Sequence, residues 1–191
     1  MAPRAYWTYR IVSRACGSGA GFLTDKPRRA IRMTLRVYDT RTREKREFSP
    51  LNEGRVSMYV CGITPYSPSH LGHARCYLAF DLVHRWLEAS GYEVDYVQNF
   101  TDIDDKILNI SESEGVDFSV VSNRNIDDYF EVMDAMNVLR ADHYPRVTET
   151  ISEIIDMISK LQEKGHAYVG DDGVYFEIDT APEIYGQLTG Q

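Results

Sequence analysis

V-S-M-Y-V-C-G-I-T-P-Y-S-P-S-H-L-G-H, residues 56–73, decides how the rest of the chain is read. Residues 56–60 form a short apolar run with β-branched and aromatic side chains, the pattern of a buried parallel strand. Residues 61–69 form a turn-rich loop carrying Gly62, Pro65 and Pro68. His70-Leu71-Gly72-His73 then opens an amphipathic helix expected to reach about Ser90. A strand, a loop and a helix N-terminus make a natural phosphate site, because the helix presents free N–H donors and the positive end of its dipole. Gly72 lets a flat or bulky ligand lie against the backbone. His70 and His73, three residues apart, fall on one face of the first helical turn.

Working outward, residues 35–38 and 46–48 read as a small hairpin around the polar turn 39–43. Within the helix, Tyr77, Leu78, Asp81, Leu82, Arg85 and Trp86 recur at helical spacing, and Gly91 marks its end. Residues 93–99 form a second strand, so strand, helix and strand make a βαβ unit with parallel strands. Thr101-Asp102-Ile103-Asp104 fits a capping pattern, and the helix behind it runs to about Glu114. Residues 119–136 form a further helix with Val120, Ile126, Tyr129, Phe130, Met133 and Met136 as its apolar positions. Residues 142–146, which include Pro145, read as a connection. Thr150-Ile151-Ser152-Glu153 reads as a capping box for a helix that stops at Gly165. Residues 167–169 and 174–178 flank Asp171-Asp172-Gly173, a hairpin turn, and residues 180–191 read as a loop.

The chain has 191 residues and a net charge of −8, unevenly spread. Residues 1–32 hold seven Lys or Arg and one acid, a charge of +6; the remaining 159 residues hold 14 basic and 28 acidic side chains, a charge of −14. Phosphate contacts need cations, so an acidic body is unusual for a nucleic-acid binder: any such surface would lie elsewhere, or the protein works at high salt. Residues 1–32 read as a disordered basic extension: a transit-like peptide, an arm, or the product of a misassigned start with Met33 as the true one. No apolar run is long enough to span a membrane. Three scattered cysteines, Cys16, Cys61 and Cys76, point to a reducing, cytoplasmic setting.

The residues leave their chemistry open. H-L-G-H serves as a phosphate site, as two zinc ligands, or as a helix start with incidental histidines. Cys61, at the ligand edge of the sheet, reads as a zinc thiolate, a nucleophile with His70 or His73 as base, or a small buried hydrophobe. Cys76 is expected in the core, and Cys16 without a role. In residues 99–106, Thr101 is a candidate substrate contact, and the acids with Lys106 either shape a pocket or complement a helix dipole.

M-Y-V-C-G-I-T-P-Y (58–66), H-L-G-H-A-R (70–75), A-F-D-L-V (79–83) and N-F-T-D-I-D-D-K-I (99–107) resemble cysteinyl-tRNA synthetase. So do T-L-R-V-Y-D-T (34–40) and G-H-A-Y (165–168). The resemblance covers Met33 to the end. It implies the α/β, Rossmann-like parallel sheet of a class I synthetase catalytic domain, first part only, with a preceding β-hairpin. H-L-G-H is the family's version of the HIGH signature. The implied reaction is ATP-dependent activation of cysteine to cysteinyl-adenylate, then transfer to tRNA-Cys. By position, His70, Gly72 and His73 match ATP-phosphate contacts, with His70 and His73 in the catalytic role. Gly62, Thr64 and Thr101 match positions lining the amino-acid pocket. Cys61 matches the first ligand of a zinc that binds the substrate thiol, and selection by a thiol-seeking metal needs no editing step. Mg2+ is implied with ATP.

Family members are longer. They carry three further zinc ligands, a K-M-S-K-S-type loop and an anticodon-binding domain, none of which is found in these 191 residues. The chain is therefore expected to be an incomplete catalytic domain, inactive or weakly active alone, with a second chain as one possible source of the missing half. A cysteine:aminosugar ligase of the mycothiol type shares the zinc and HIGH elements and is the nearest rival. A non-catalytic fragment or regulatory binding module is the alternative from another class.

Overall fold

The computed structural model describes residues 35–188. The readings of residues 1–32, of Cys16 and of Met33 lie outside them. The first elements are the antiparallel strands β1 (Arg36–Asp39) and β2 (Glu44–Glu47), in register Arg36 to Glu47. The turn between them lets Arg43 adopt φ 58°. The second strand starts two residues earlier and ends one earlier than residue spacing suggested, because pairing begins directly after the turn at Asp39↔Glu44; the Phe48 amide continues the ladder to the Leu35 carbonyl at 2.8 Å.

The strand read from residues 56–60 is β3 (Arg55–Val60), and it pairs in parallel with β4 (Glu93–Gln98). Helix α1 (Leu71–Ala89) connects them. The expected βαβ unit is therefore present. Residues 142–146, expected as a connection, instead extend the sheet. His143 and Arg146 form parallel bridges with Val97 and Phe100. The Gln98 and Phe100 amides donate to the His143 and Pro145 carbonyls at 3.0 and 2.9 Å. Pro145 cannot return a hydrogen bond, which is why this stretch fails to read as a strand.

Helices α2 (Asp105–Glu114) and α3 (Phe118–Ala135) pack between β4 and that extended segment in the chain. α2 starts three residues later than the Thr101 pattern suggests, with Asp104 in place of Thr101 as its cap. The Thr101 amide donates to Ile63 O at 3.0 Å, so this backbone is held extended beside the loop after β3. Asp104 takes the cap by accepting from the Lys106 amide at 2.9 Å. Asp117 caps α3, through the Ser119 amide. Val120, expected inside, is exposed; Val121, Ser122 and Asn125 take the buried face with Ile126, Tyr129 and Met133.

The core joins Val60 and Ile63 to Tyr77 of α1, Tyr96 of β4, Phe100, and Ile126, Tyr129 and Met133 of α3. Its aromatic rings meet edge to face, Tyr77 and Phe100 lying 5.2 and 5.5 Å from Tyr129. Asp81 is buried in α1 and accepts from the Leu139 amide and from Arg85 Nε, both at 2.8 Å. Leu78, Leu82 and Trp86 of α1 are exposed, as is Cys76, which is not the core residue expected. The buried stripe runs instead through Ala74, Tyr77, Asp81, His84 and Leu87.

A 3-10 turn (Val147–Glu149) leads into α4 (Ile151–Glu163). The Thr150 capping box does not form. That turn brings the Arg146 and Val147 carbonyls within reach, and the Thr150 hydroxyl donates to them at 3.1 and 3.2 Å. β5 (Ala167–Val169) and β6 (Val174–Phe176) form the expected hairpin, with a 3-10 turn (Ile178–Thr180) in place of the end of the second strand. Among the described residues no helix is long and apolar enough to cross a membrane.

Candidate active site

The C-terminal ends of β3 and β4 come together at Gly62 and Asn99. A Cβ at position 62 would meet the Asn99 carbonyl oxygen at 1.5 Å, so only glycine permits this approach. The Asn99 side chain fixes the junction: its Oδ1 accepts from the Gly62 amide and from the Tyr59 hydroxyl, each at 2.9 Å. Its Nδ2 reaches Thr101 Oγ1 at 3.4 Å. Cys61 lies exposed beside this junction, and its carbonyl accepts from the buried Tyr77 hydroxyl at 3.3 Å. Cys61, Gly62 and Thr101 thus lie at one edge of the sheet, with Thr64 two residues further along the loop.

The loop then climbs to the N-terminus of α1. His70 is the N-cap residue, with extended backbone, and not the first helical residue. Its Nδ1 accepts from the Gly72 amide at 3.0 Å, and its own amide donates to His73 Nδ1 at 3.3 Å. This is a capping box made of two imidazoles in place of a hydroxyl and a carboxylate. The rings stack 3.9 Å apart at 18°. Both Nδ1 atoms are acceptors, which places each neutral ring's proton on Nε2. Partial burial, and then the neighbouring His70, hold the His73 imidazole below the usual histidine range.

The helix start is less open than the sequence suggests. The Ser69 amide donates to Asp128 Oδ2 at 2.7 Å, and the His70 and Gly72 amides are engaged by the histidines. An arriving anion meets the dipole and the exposed Nε2 edges first, and it gains the Gly72 amide only as His70 turns away.

Asp102, expected in an acidic first turn, is buried. It accepts from the Thr148 amide at 3.0 Å and from the Thr148 hydroxyl at 2.6 Å. Lys106 lies over the Tyr66 ring, 4.8 Å from its centroid, and not in an acid pair. Asn99, Asn125 and Asp128 were not singled out as site residues. The available signal was polar positions, Asn125 and Asp128, interleaved with the Ile126 and Tyr129 stripe of an otherwise apolar helix face. Among the described residues no three of His, Cys, Asp and Glu gather to hold a metal ion, and Cys61 stands without companion ligands there.

The family model for the tRNA synthetases class I (C) catalytic domain matches residues 47–191. The chain belongs to this family. Cysteine--tRNA ligase of Pyrococcus horikoshii is 54% identical over 158 residues, covering 83% of this chain and 33% of that protein. The same-named protein of Thermococcus kodakarensis is 52% identical over 157 residues, covering 82% and 33%. That of Gloeothece citriformis is 49% identical over 159 residues, covering 83% and 32%. The chain thus spans about a third of the length of the curated relatives it matches.

Among solved structures, Mycobacterium tuberculosis methionyl-tRNA synthetase in complex with methionyl-adenylate superposes with a TM-score of 0.52. It is 22% identical over 59% of this chain and 23% of that one. The Agrobacterium radiobacter K84 LeuRS–tRNA–LeuAMS complex gives a TM-score of 0.51 at 20% identity, over 63% and 16%. These likenesses show the class I synthetase fold. The βαβ unit and the hairpin before it are this family's arrangement as the sequence predicted it.

Proposed function

We propose that residues 33–191 are the first part of a Rossmann-like catalytic domain that activates cysteine with ATP for transfer to tRNA-Cys, in the cytoplasm. One observation carries this reading. In a chain 54% identical over 158 residues to a Cysteine--tRNA ligase, the strand-to-helix loop sets Cys61 at one end and the stacked His70–His73 pair at the other.

The chemistry is an attack by the cysteine carboxylate oxygen on the α-phosphorus of ATP. A new P–O bond forms, the bond from the α-phosphorus to the bridging oxygen of the β-phosphate breaks, and pyrophosphate leaves as the anion; Mg2+, when bound with ATP, would offset charge on the phosphates. The terminal tRNA hydroxyl then attacks the adenylate carbonyl and AMP departs. His70 and His73 donate from Nε2 to the phosphates and stabilise charge on the pentavalent α-phosphorus. Gly72 leaves room for the His70 ring, and its amide becomes a donor to the triphosphate as His70 turns away. Gly62, Thr64 and Thr101 line the amino-acid pocket.

Cys61 is the candidate zinc thiolate. Among the described residues it belongs to no group of three or more such ligands, so it does not make a metal site by itself, and the steps above use none.

Calorimetry of the purified chain tests the reading. ATP binding that disappears in His70→Ala and His73→Ala supports it, and absence of ATP binding to the unaltered protein overturns it. Cysteinyl-tRNA formation at ordinary rates by the 191-residue chain would overturn the expectation that a further half is needed. Product formation that depends on an aminosugar instead of tRNA would assign the chain to the mycothiol-type ligases.

A further inference from the structure

We propose that Asp128 and Asn125 of α3 are positioning residues for the loop that delivers the histidine pair to ATP, an inference that rests on the function proposed above. The loop leaves β3 pinned by Asn99, but from Ile63 onward few backbone hydrogen bonds hold it; one is the Tyr66 amide to Thr64 O at 2.9 Å. Another is the Thr101 amide to Ile63 O at 3.0 Å, and the side chains of α3 supply the bonds further along. Asn125, only 3% exposed, donates through Nδ2 to Pro65 O at 3.1 Å and to its own helix at Val121 O at 2.9 Å. Three residues on, and so on the same helix face, Asp128 accepts the Ser69 amide at 2.7 Å. Pro65, one of the most deeply buried side chains, locks the middle of the loop; Asp128 locks the residue before the N-cap.

The geometry makes Asp128 more than a packing residue. A carboxylate beside a site for a triphosphate is electrostatically costly, so its place there needs a reason, and orienting Ser69 and His70 is that reason. The same cost separates the two things the side chain brings. Its oxygen is needed for geometry; its charge opposes the ligand.

The test compares Asp128→Ala with Asp128→Asn in the full chain, by ATP calorimetry and by hydrogen exchange at the Ser69 amide. Asp128→Ala is expected to speed Ser69 exchange and to weaken ATP binding about tenfold, the loss of one hydrogen bond to a charged acceptor. Asp128→Asn keeps an acceptor and removes the charge, so ATP affinity is expected to equal or exceed that of the unaltered chain. Asn125→Ala is expected to weaken ATP binding as well, through Pro65. Unchanged Ser69 exchange in Asp128→Ala overturns the proposal, as does faster exchange with ATP affinity unaltered. ATP affinity lost equally in Asp128→Asn and Asp128→Ala also overturns it, since charge and not geometry would then matter. Failure of the unaltered chain to bind ATP is a separate outcome; it removes the proposed function, and this inference with it.

Discussion

The position where Gly62 lacks a Cβ lies 1.5 Å from the backbone oxygen of Asn99. The obstacle is backbone, at the ends of two strands that pair along their length from Arg55–Glu93 to Val60–Gln98. Neither side can give way without breaking the ladder. Gly62→Ala is therefore expected to destabilise the chain by about 3 kcal/mol or more, at the severe end of overpacking. A urea denaturation midpoint close to that of the unaltered protein would contradict this.

The histidine pair has a predictable response to acid. The His73 pKa is lowered by burial and by His70, so the folded chain binds fewer protons there than the unfolded chain does. Stability is then lost as pH falls below the unfolded value of about 6.5 and levels off below the folded one. Protonation also turns the Nδ1 acceptors into donors, which breaks the imidazole capping box and sets two like charges in stacked rings. NMR titration is expected to find His73 protonating below the ordinary histidine range, with His70→Ala moving it upward. A phosphate ligand should raise it too, so ATP binding near pH 6 is expected to take up protons, measurable by calorimetry in two buffers.

Asp102 joins the end of β4 to the turn before α4 through two bonds to Thr148. Asp102→Ala leaves the Thr148 amide without its partner, at a cost of about 1–3 kcal/mol. Asp102→Asn should cost less, because an amide oxygen still accepts from the Thr148 amide. Thermal unfolding of the two variants that gave equal losses would show that the geometry of the acceptor is unimportant.

In the core, Gln98 Nε2 donates to the Tyr129 hydroxyl at 2.6 Å, and Gln98 Oε1 accepts from the Tyr96 hydroxyl at 3.2 Å. Burial pushes the Tyr96 phenol to about 12 and the Tyr129 phenol further upward, so both hydroxyls stay protonated throughout the physiological range. Tyr129→Phe strands the Gln98 donor in a site only 2% exposed and should cost about 1–2 kcal/mol by chemical denaturation. Adding Gln98→Leu removes that stranded donor but leaves the buried Tyr96 hydroxyl without its acceptor, so recovery is expected when Tyr96→Phe is added as well.

Much of this was legible in the residues themselves. The β-branched run at 56–60 and the long amphipathic stretch behind His70 fixed a strand and a helix, since both are set by periodicity within one segment. Gly91 and Gly115 marked the helix ends because left-handed backbone there, φ 91° and 67°, suits glycine best. The motifs placed Cys61, Thr101 and the two histidines at one sheet edge, since βαβ geometry collects those chain positions whatever the side-chain details.

Tertiary structure decided what depended on partners distant in the chain. Residues 142–146 became a strand-like edge only because β4 lay alongside; Pro145 had removed the local signal. Thr101 lost its cap to Asp104 because Ile63 claimed its amide. Asp102 left the surface because Thr148, 46 residues later, offered it two donors. The same holds for the site. Sequence alone determined that two histidines would meet at a helix N-terminus. Only packing against α3 determined that Asn125 and Asp128 would grip the loop presenting them, because a hydrogen bond across 59 residues leaves no trace in local spacing.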